Sequence, residues 1–398
     1  MSSPSDLWEA WGLRMTKKGG PHCNLHNIAT ILEKDPTLQS LVKYDEFLQR
    51  VVTKNSPVRE WKDEDDLAIV RYIQSDLAMS GVGRDVTAQA IYYIACKNKI
   101  NCVRDWADSL QWDNTPRVDA FFSDAFGADE SEYTRSASRN FWLSMVARVY
   151  KPGCKVDNMV VLEGAQGVGK STAMQIIGGD WFAEQHESAT NPKAFAEILQ
   201  GKLLIEISEM DAFSRVEVNR VKQTVSCPSD RFRDSYGRHA ADHPRTCIFV
   251  GTTNRDDWNR DETGARRFWP IVCRSIDLDL VQECREQLFA EAVSRHKSGE
   301  PHWLMPQEPT RHEQESRYQA DPWLDAIAQA IKGEPWTTTA AISQKLDIPL
   351  ERRNRATEMR IGSSLLFLRW GKKRERVGTD LMWVYRPKDG TVGTDGTK

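Results

Sequence analysis

The chain has 398 residues, enough for two or three domains with a core each, and its 40% apolar and 28% charged residues describe a globular protein. No apolar run reaches the length that spans a bilayer, and the first six residues lack the basic-then-apolar order of a secretory signal. A cytoplasmic location without membrane contact is therefore expected. The formal net charge of -3 gives no overall attraction for nucleic acid, so any such binding has to come from local clusters.

Residues 1–105 read as a mostly helical domain, compact or winged-helix in type. Ile28, Ile31 and Leu32 have helical spacing, and Leu38, Leu41 and Val42 continue an apolar face. Asp63, Asp65 and Asp66 suit the start of a helix whose stripe is Leu67, Val70, Ile73 and Leu77. After the break at Gly81-Val82-Gly83, Thr87 is the expected cap of a third helix carrying Ile91, Ile94 and Ala95. His22, Cys23 and His26 lack the second half of a zinc site, and the eight cysteines form no C-x-x-C pair, so reduced thiols are expected. Asp113 to Arg117 is a turn cluster, followed by aromatic residues of core type and a helix carrying Phe141, Trp142, Met145 and Val149.

The most informative stretch runs from Val160 to Thr172. A β-branched apolar run enters Gly164-Ala165-Gln166-Gly167-Val168-Gly169-Lys170-Ser171-Thr172, the G-x-x-x-x-G-K-[ST] phosphate-binding loop in a strand–loop–helix context. Glycines let the backbone approach a ligand, and exposed N–H groups at a helix start face a polyphosphate with partial positive charge. Lys170 suits the β- and γ-phosphates, Ser171 suits Mg²⁺, and Thr172 belongs near the α-phosphate; ATP and Mg²⁺ are the expected ligands.

A second apolar strand, Leu203 to Glu209, contains Glu206 and ends in Glu209. Groups at the carboxyl ends of strands carry chemistry in open α/β sheets, which favours Glu209 as the water-polarising carboxylate. Ser208 takes the usual metal-acid position, and Glu206 is the alternative route to the metal. From Val221 to Arg245, Lys222, Arg231, Arg233, Arg238 and Arg245 are interleaved with Phe232, Tyr236 and His239. Such a pattern suits either a loop tracking single-stranded nucleic acid or a solvated charged loop. A third strand, Thr246 to Thr253, ends in Asn254, placed to orient a water and sense a γ-phosphate. Arg266 and Arg267 follow a glycine turn and are the candidates for a finger lent to a neighbouring subunit.

Leu280 to Arg295 reads as an amphipathic helix and the prolines from Pro301 to Pro309 as a linker. The helix order after Trp323, with a strand at Leu381 to Tyr385, is that of a winged helix, and basic residues outnumber acids between Arg352 and Arg376. The expected domains are 1–105, a phosphate-loop ATPase at 106–305, a winged-helix-like domain at 306–387 and a disordered tail at 388–398.

Phosphate loop, Glu-ended strand, basic-aromatic stretch, Asn-ended strand and paired arginines resemble, in that order, the superfamily 3 helicases of the AAA+ class. Leu110-Gln111-Trp112-Asp113, Tyr150 to Lys155, Asp230 to Arg238, Gly251 to Arg255 and Thr263 to Trp269 resemble more closely the virulence-associated E family of phages, prophages and phage satellites. The resemblance implies a hexameric ring ATPase that acts on DNA in replication of a mobile element inside a bacterial host. By position it makes Lys170 and Ser171 the nucleotide and metal residues, Glu209 the catalytic carboxylate and Asn254 the first sensor. It sets Lys222, Arg231, Arg233 and Tyr236 on the DNA-tracking hairpin, and Arg266 or Arg267 at the finger. Ser208 stands where relatives often carry an acid, and the short N-terminal region is not expected to make primers. Two other readings carry the same loop: an ATP-switched replication initiator that unwinds little, and a small-molecule kinase.

Overall fold

The structure is a computed structural model and describes residues 3–53, 59–185, 192–212, 215–233, 240–256, 258, 267–317, 322–377 and 380–388. The chain divides into two compact units, with one sequence boundary between Gln314 and Glu315.

The larger unit begins with α1 (Pro4–Trp11), α2 (Leu25–Lys34), β1 (Val42–Asp45), β2 (Arg50–Thr53), α3 (Asp63–Ser75), α4 (Arg84–Lys97), β3 (Lys99–Ile100) and α5 (Cys102–Ser109). Ile28, Ile31, Leu32, Ile73, Ile91 and Ile94 pack as one core, as their spacing predicts. Three details differ from the sequence reading. The apolar face of α2 does not run on to Val42, because Asp35 ends the helix and accepts hydrogen bonds from the amides of Thr37 and Leu38. Val42 instead opens a three-stranded sheet of order β2-β1-β3. Thr87 lies inside the first turn of α4, its hydroxyl bonded to the Gly83 carbonyl at 3.0 Å, and Gly83 is the cap residue.

Next come α6 (Phe121–Phe126), α7 (Glu132–Tyr150), β4 (Met159–Glu163), α8 (Lys170–Gly178), β5 (Phe182–Gln185), α9 (Pro192–Leu199), β6 (Leu204–Ile207), α10 (Arg215–Ser226), β7 (Ser229–Phe232), β8 (Ala241–Pro244), β9 (Ile248–Thr253), β10 (Phe268–Val272), α11 (Leu278–Lys297) and α12 (Gln307–Ser316). Pro306 to Pro309, read as linker, leads into and forms the first turn of α12, where a missing N–H costs nothing. Five strands form a parallel sheet of order β10-β4-β9-β6-β5. β4, β6 and β9 are buried along their whole length, the signature of a parallel sheet covered on both faces. After β4 the chain crosses to the far edge at β5 and returns through β6 and β9, so the phosphate loop opens where the strand order reverses. Around this sheet Trp142, Phe122, Phe141, Phe289 and Leu288 form the main core with α7, α8 and α11. Glu291, 1% exposed, joins its ends: it accepts from the amides of Arg117 and Val118 and from Arg295.

The smaller unit holds α13 (Leu324–Ala330), α14 (Thr339–Lys345), α15 (Arg355–Phe367), β11 (Trp370–Val377) and β12 (Asp380–Pro387). Thr338 caps α14 through the Ala341 amide, and Ile327, Ile342, Ile361, Leu365, Trp370 and Tyr385 form its core. Three helices followed by an antiparallel hairpin make this a winged-helix-like unit. The expected tail, beyond Lys388, lies outside the described residues.

Candidate nucleotide site

The loop from Gly164 to Gly169 joins β4 to α8. Gly167 and Gly169 adopt φ of 83° and 101°, in the left-handed region that favours glycine. Gly164 is needed for a different reason: a Cβ there would stand 2.6 Å from the Cys273 carbonyl oxygen. Ala165, Gln166 and Val168 fill the loop between them, and the Val168 amide closes it on the Ala165 carbonyl. The first amides of α8 have no partners within the helix, so the loop presents donors to an anion.

Lys170 is buried, with Nζ 2.6 Å from the Gly164 carbonyl, 3.0 Å from that of Ala165 and 3.2 Å from Asn254 Oδ1. The end of β9 and the loop lysine, distant in sequence, thus lie together. Beside them the Ser171 hydroxyl donates to Glu206 Oε1 at 2.6 Å, and the Thr252 hydroxyl donates to the same oxygen at 2.8 Å. Glu206 is fully buried and its Oε2 has no partner among the described residues. Burial pushes its carboxyl above the usual range, against the two hydroxyl donors. A carboxylate with one spare oxygen, next to the loop serine, is a donor set that a hard divalent cation fits. Of the two acids left open, Glu206 is the one bonded to Ser171. Glu209 is exposed just beyond β6, held at φ 53°, and Ser208 lies between them.

Lys170 and Ser171 open on a cavity of about 700 Å³, whose walls include Thr172, Glu209 and Asn254. Three further lining residues were not singled out from sequence. Thr252 lies in β9, two positions before Asn254. Glu184 pairs in register with Glu206 across β5 and β6. Arg220 faces the cavity from α10 together with Glu217, Val221 and Thr224, the three- and four-residue spacing of one helix face. Among the described residues Arg220 makes no hydrogen bond or ion pair.

The basic stretch divides. Lys222 is buried on α10 with Nζ 5.7 Å from the Phe268 ring centroid, so it does not belong to an open loop. Arg231 is exposed on the β7–β8 hairpin and pairs with Asp242 at 3.2 Å, and Arg233 is exposed at the hairpin's end. Tyr236 and Arg238 lie outside the described residues, as does Arg266. Arg267 donates from Nε to the Ser226 hydroxyl at 2.7 Å, at the end of α10 in its own chain. The hairpin base is held by Arg245, which pairs with both oxygens of Asp230 at 2.6 and 2.7 Å and bonds the Thr224 carbonyl.

Among solved structures, the C-terminal region of NrS-1 (residues 305–718, A form, apo) aligns over 92% of this chain and 100% of its own, at 11% identity and a TM-score of 0.52. A second structure of that region aligns over 87% and 96%, at 13% identity and a TM-score of 0.48. A RuvB mutant from Thermotoga maritima aligns over 64% and 92%, at 13% identity and a TM-score of 0.24. Likeness at such identity concerns the fold. No curated protein matches the chain. Residues 107–321, more than half of the 398, match the virulence-associated protein E-like domain. That match includes β4 to β10 and the phosphate loop, and the chain belongs to the virulence-associated protein E-like family.

Proposed function

We propose that this chain is an ATP-hydrolysing DNA helicase or translocase that serves replication of a phage, prophage or phage satellite. The observation that carries the reading is the convergence of Lys170, Ser171, Glu209 and Asn254 on one cavity at the carboxyl ends of β4, β6 and β9, with buried Glu206 bonded behind Ser171. Lys170 leaves its two carbonyl partners to meet the β- and γ-phosphates, whose oxygens offer the charge that the carbonyls lack. Mg²⁺, held through Ser171 and Glu206, would neutralise phosphate charge there. Glu209 orients the attacking water, and Asn254, bonded to Lys170, registers whether a terminal phosphate is present. Arg220 supplies positive charge from the same chain, and Arg266 or Arg267 is the cation offered to a neighbour in a hexameric ring. Arg231, Arg233, Tyr236 and Arg238 are the residues proposed to grip a single strand in the ring's pore, and duplex contact is assigned to the winged-helix-like unit.

The test is hydrolysis and strand displacement on forked DNA by the purified protein. ATP turnover stimulated by DNA, with displacement that Lys170→Ala abolishes, is the expected result. ATP-dependent DNA binding without displacement would instead favour the initiator, and turnover indifferent to DNA would refute both.

A further inference from the structure

The β11–β12 hairpin has two chemically different faces. In its antiparallel register Lys372 stands opposite Tyr385, Arg374 opposite Trp383 and Arg376 opposite Leu381, so these six side chains share one face. On the other face Glu375 pairs with Arg386 at 3.0 Å and with Lys373 at 3.5 Å, and the arginine holds the carboxyl below its usual range. Charge is balanced there. The first face carries no acid among these positions, and Arg374 and Arg376 make no ion pair or hydrogen bond among the described residues. Tyr385 is buried in the unit's core at one end, whereas Trp383 and Leu381 are 54% and 58% exposed. Lys372 Nζ lies 4.9 Å from the Trp383 ring centroid, which steadies the indole without covering it.

We infer that this face is a binding surface for a single nucleic-acid strand, with Trp383 stacking on an unpaired base. Cations on every second residue of a strand repeat at about 7 Å, a spacing comparable to that of neighbouring phosphates along an extended backbone. A bare indole among them offers a stacking plane, which suits unpaired bases; a duplex presents such base faces only at its ends. An acidic polypeptide would satisfy the three cations and leave Trp383 and Leu381 in water. The surface stands apart from the phosphate loop in sequence, and the inference does not depend on hydrolysis.

Fluorescence anisotropy of labelled oligo-dT with the nucleotide-free full-length protein tests it. Combined Lys372→Ala, Arg374→Ala and Arg376→Ala should weaken binding at least about tenfold and flatten the salt dependence by about two units of slope. Trp383→Ala should weaken binding roughly tenfold, and Trp383→Phe should restore most of it. Lys373→Ala, on the balanced face, should change little. The inference is overturned if the triple and Trp383→Ala variants stay within twofold of the parent, if a blunt duplex suffers the same loss as the single strand, or if polyglutamate competes as well as oligo-dT. Basal ATP turnover, measured on the same samples, checks folding and stands or falls separately.

Discussion

Replacing Arg245 by methionine removes the clamp at the foot of the β7–β8 hairpin. The guanidinium side chain is 4% exposed and its partner Asp230 19%, so the variant leaves a carboxylate largely out of water with no counter-charge. Breaking such a pair by removing one partner costs about 3–5 kcal/mol, and the partial exposure of Asp230 argues for the lower end. The Thr224 carbonyl also loses its donor. An opening free energy lowered by about 3 kcal/mol corresponds to roughly a hundredfold rise in the open population. Native-state hydrogen exchange reads this at the amides of Ser229 to Phe232, while amides of β4 should be spared. Adding Asp230→Leu removes the stranded charge and should recover most of the loss. A rise of less than about fivefold in the single variant, or no recovery in the double, would refute the idea that this ion pair fastens the foot of the hairpin.

Other expectations follow from the site. Lys170→Ala should lower ATP turnover by at least about a hundredfold, measured by phosphate release at saturating nucleotide; turnover near the parent's would end the case for the loop. Gly164→Ala forces a methyl group against a backbone carbonyl that cannot swing aside, and should cost about 1–3 kcal/mol of stability as well as nucleotide affinity. Glu206 binds its proton more tightly folded than unfolded, so its own contribution to the stability of the nucleotide-free protein is fully present below the ordinary glutamate value of 4.5 and is lost as pH rises through the higher native value. Glu206→Gln should flatten that part of the melting-temperature curve, and parallel curves would contradict it. Arg220→Ala should weaken ATP more than ADP, by roughly tenfold, in equilibrium binding.

What could be read beforehand was the part written in local pattern. The phosphate loop declares itself through glycine spacing, and Thr338 declares its helix through a cap. The two acids of β6 were not separable by alternation, because a strand buried on both faces has no polar side to mark which way Glu206 points. Its partner Thr252 arrives from β9, forty-six positions on, and only the strand order brings them together. Lys222 misled because composition counts a cation without asking where its stem lies; on α10 it is buried beside Phe268. The small sheet near the N-terminus escaped because β1 and β2 are four residues each and β3 is two, too short for a period to emerge.

The reverse turn between β1 and β2 has a practical bearing. Asp45 accepts from the amides of Phe47, Leu48 and Cys102, and this bracing drives Phe47, fully buried, into the α/β core near Trp181. Gln49 from the same turn bonds His243 at 2.7 Å and the Pro244 carbonyl at 3.3 Å. Trimming the first hundred residues to isolate the phosphate-loop domain would therefore pull a phenylalanine plug from its core, a loss of about 3–5 kcal/mol. It would also cut the hairpin's foot loose. An inert fragment of that kind would report surgical damage, not the chemistry of the parent.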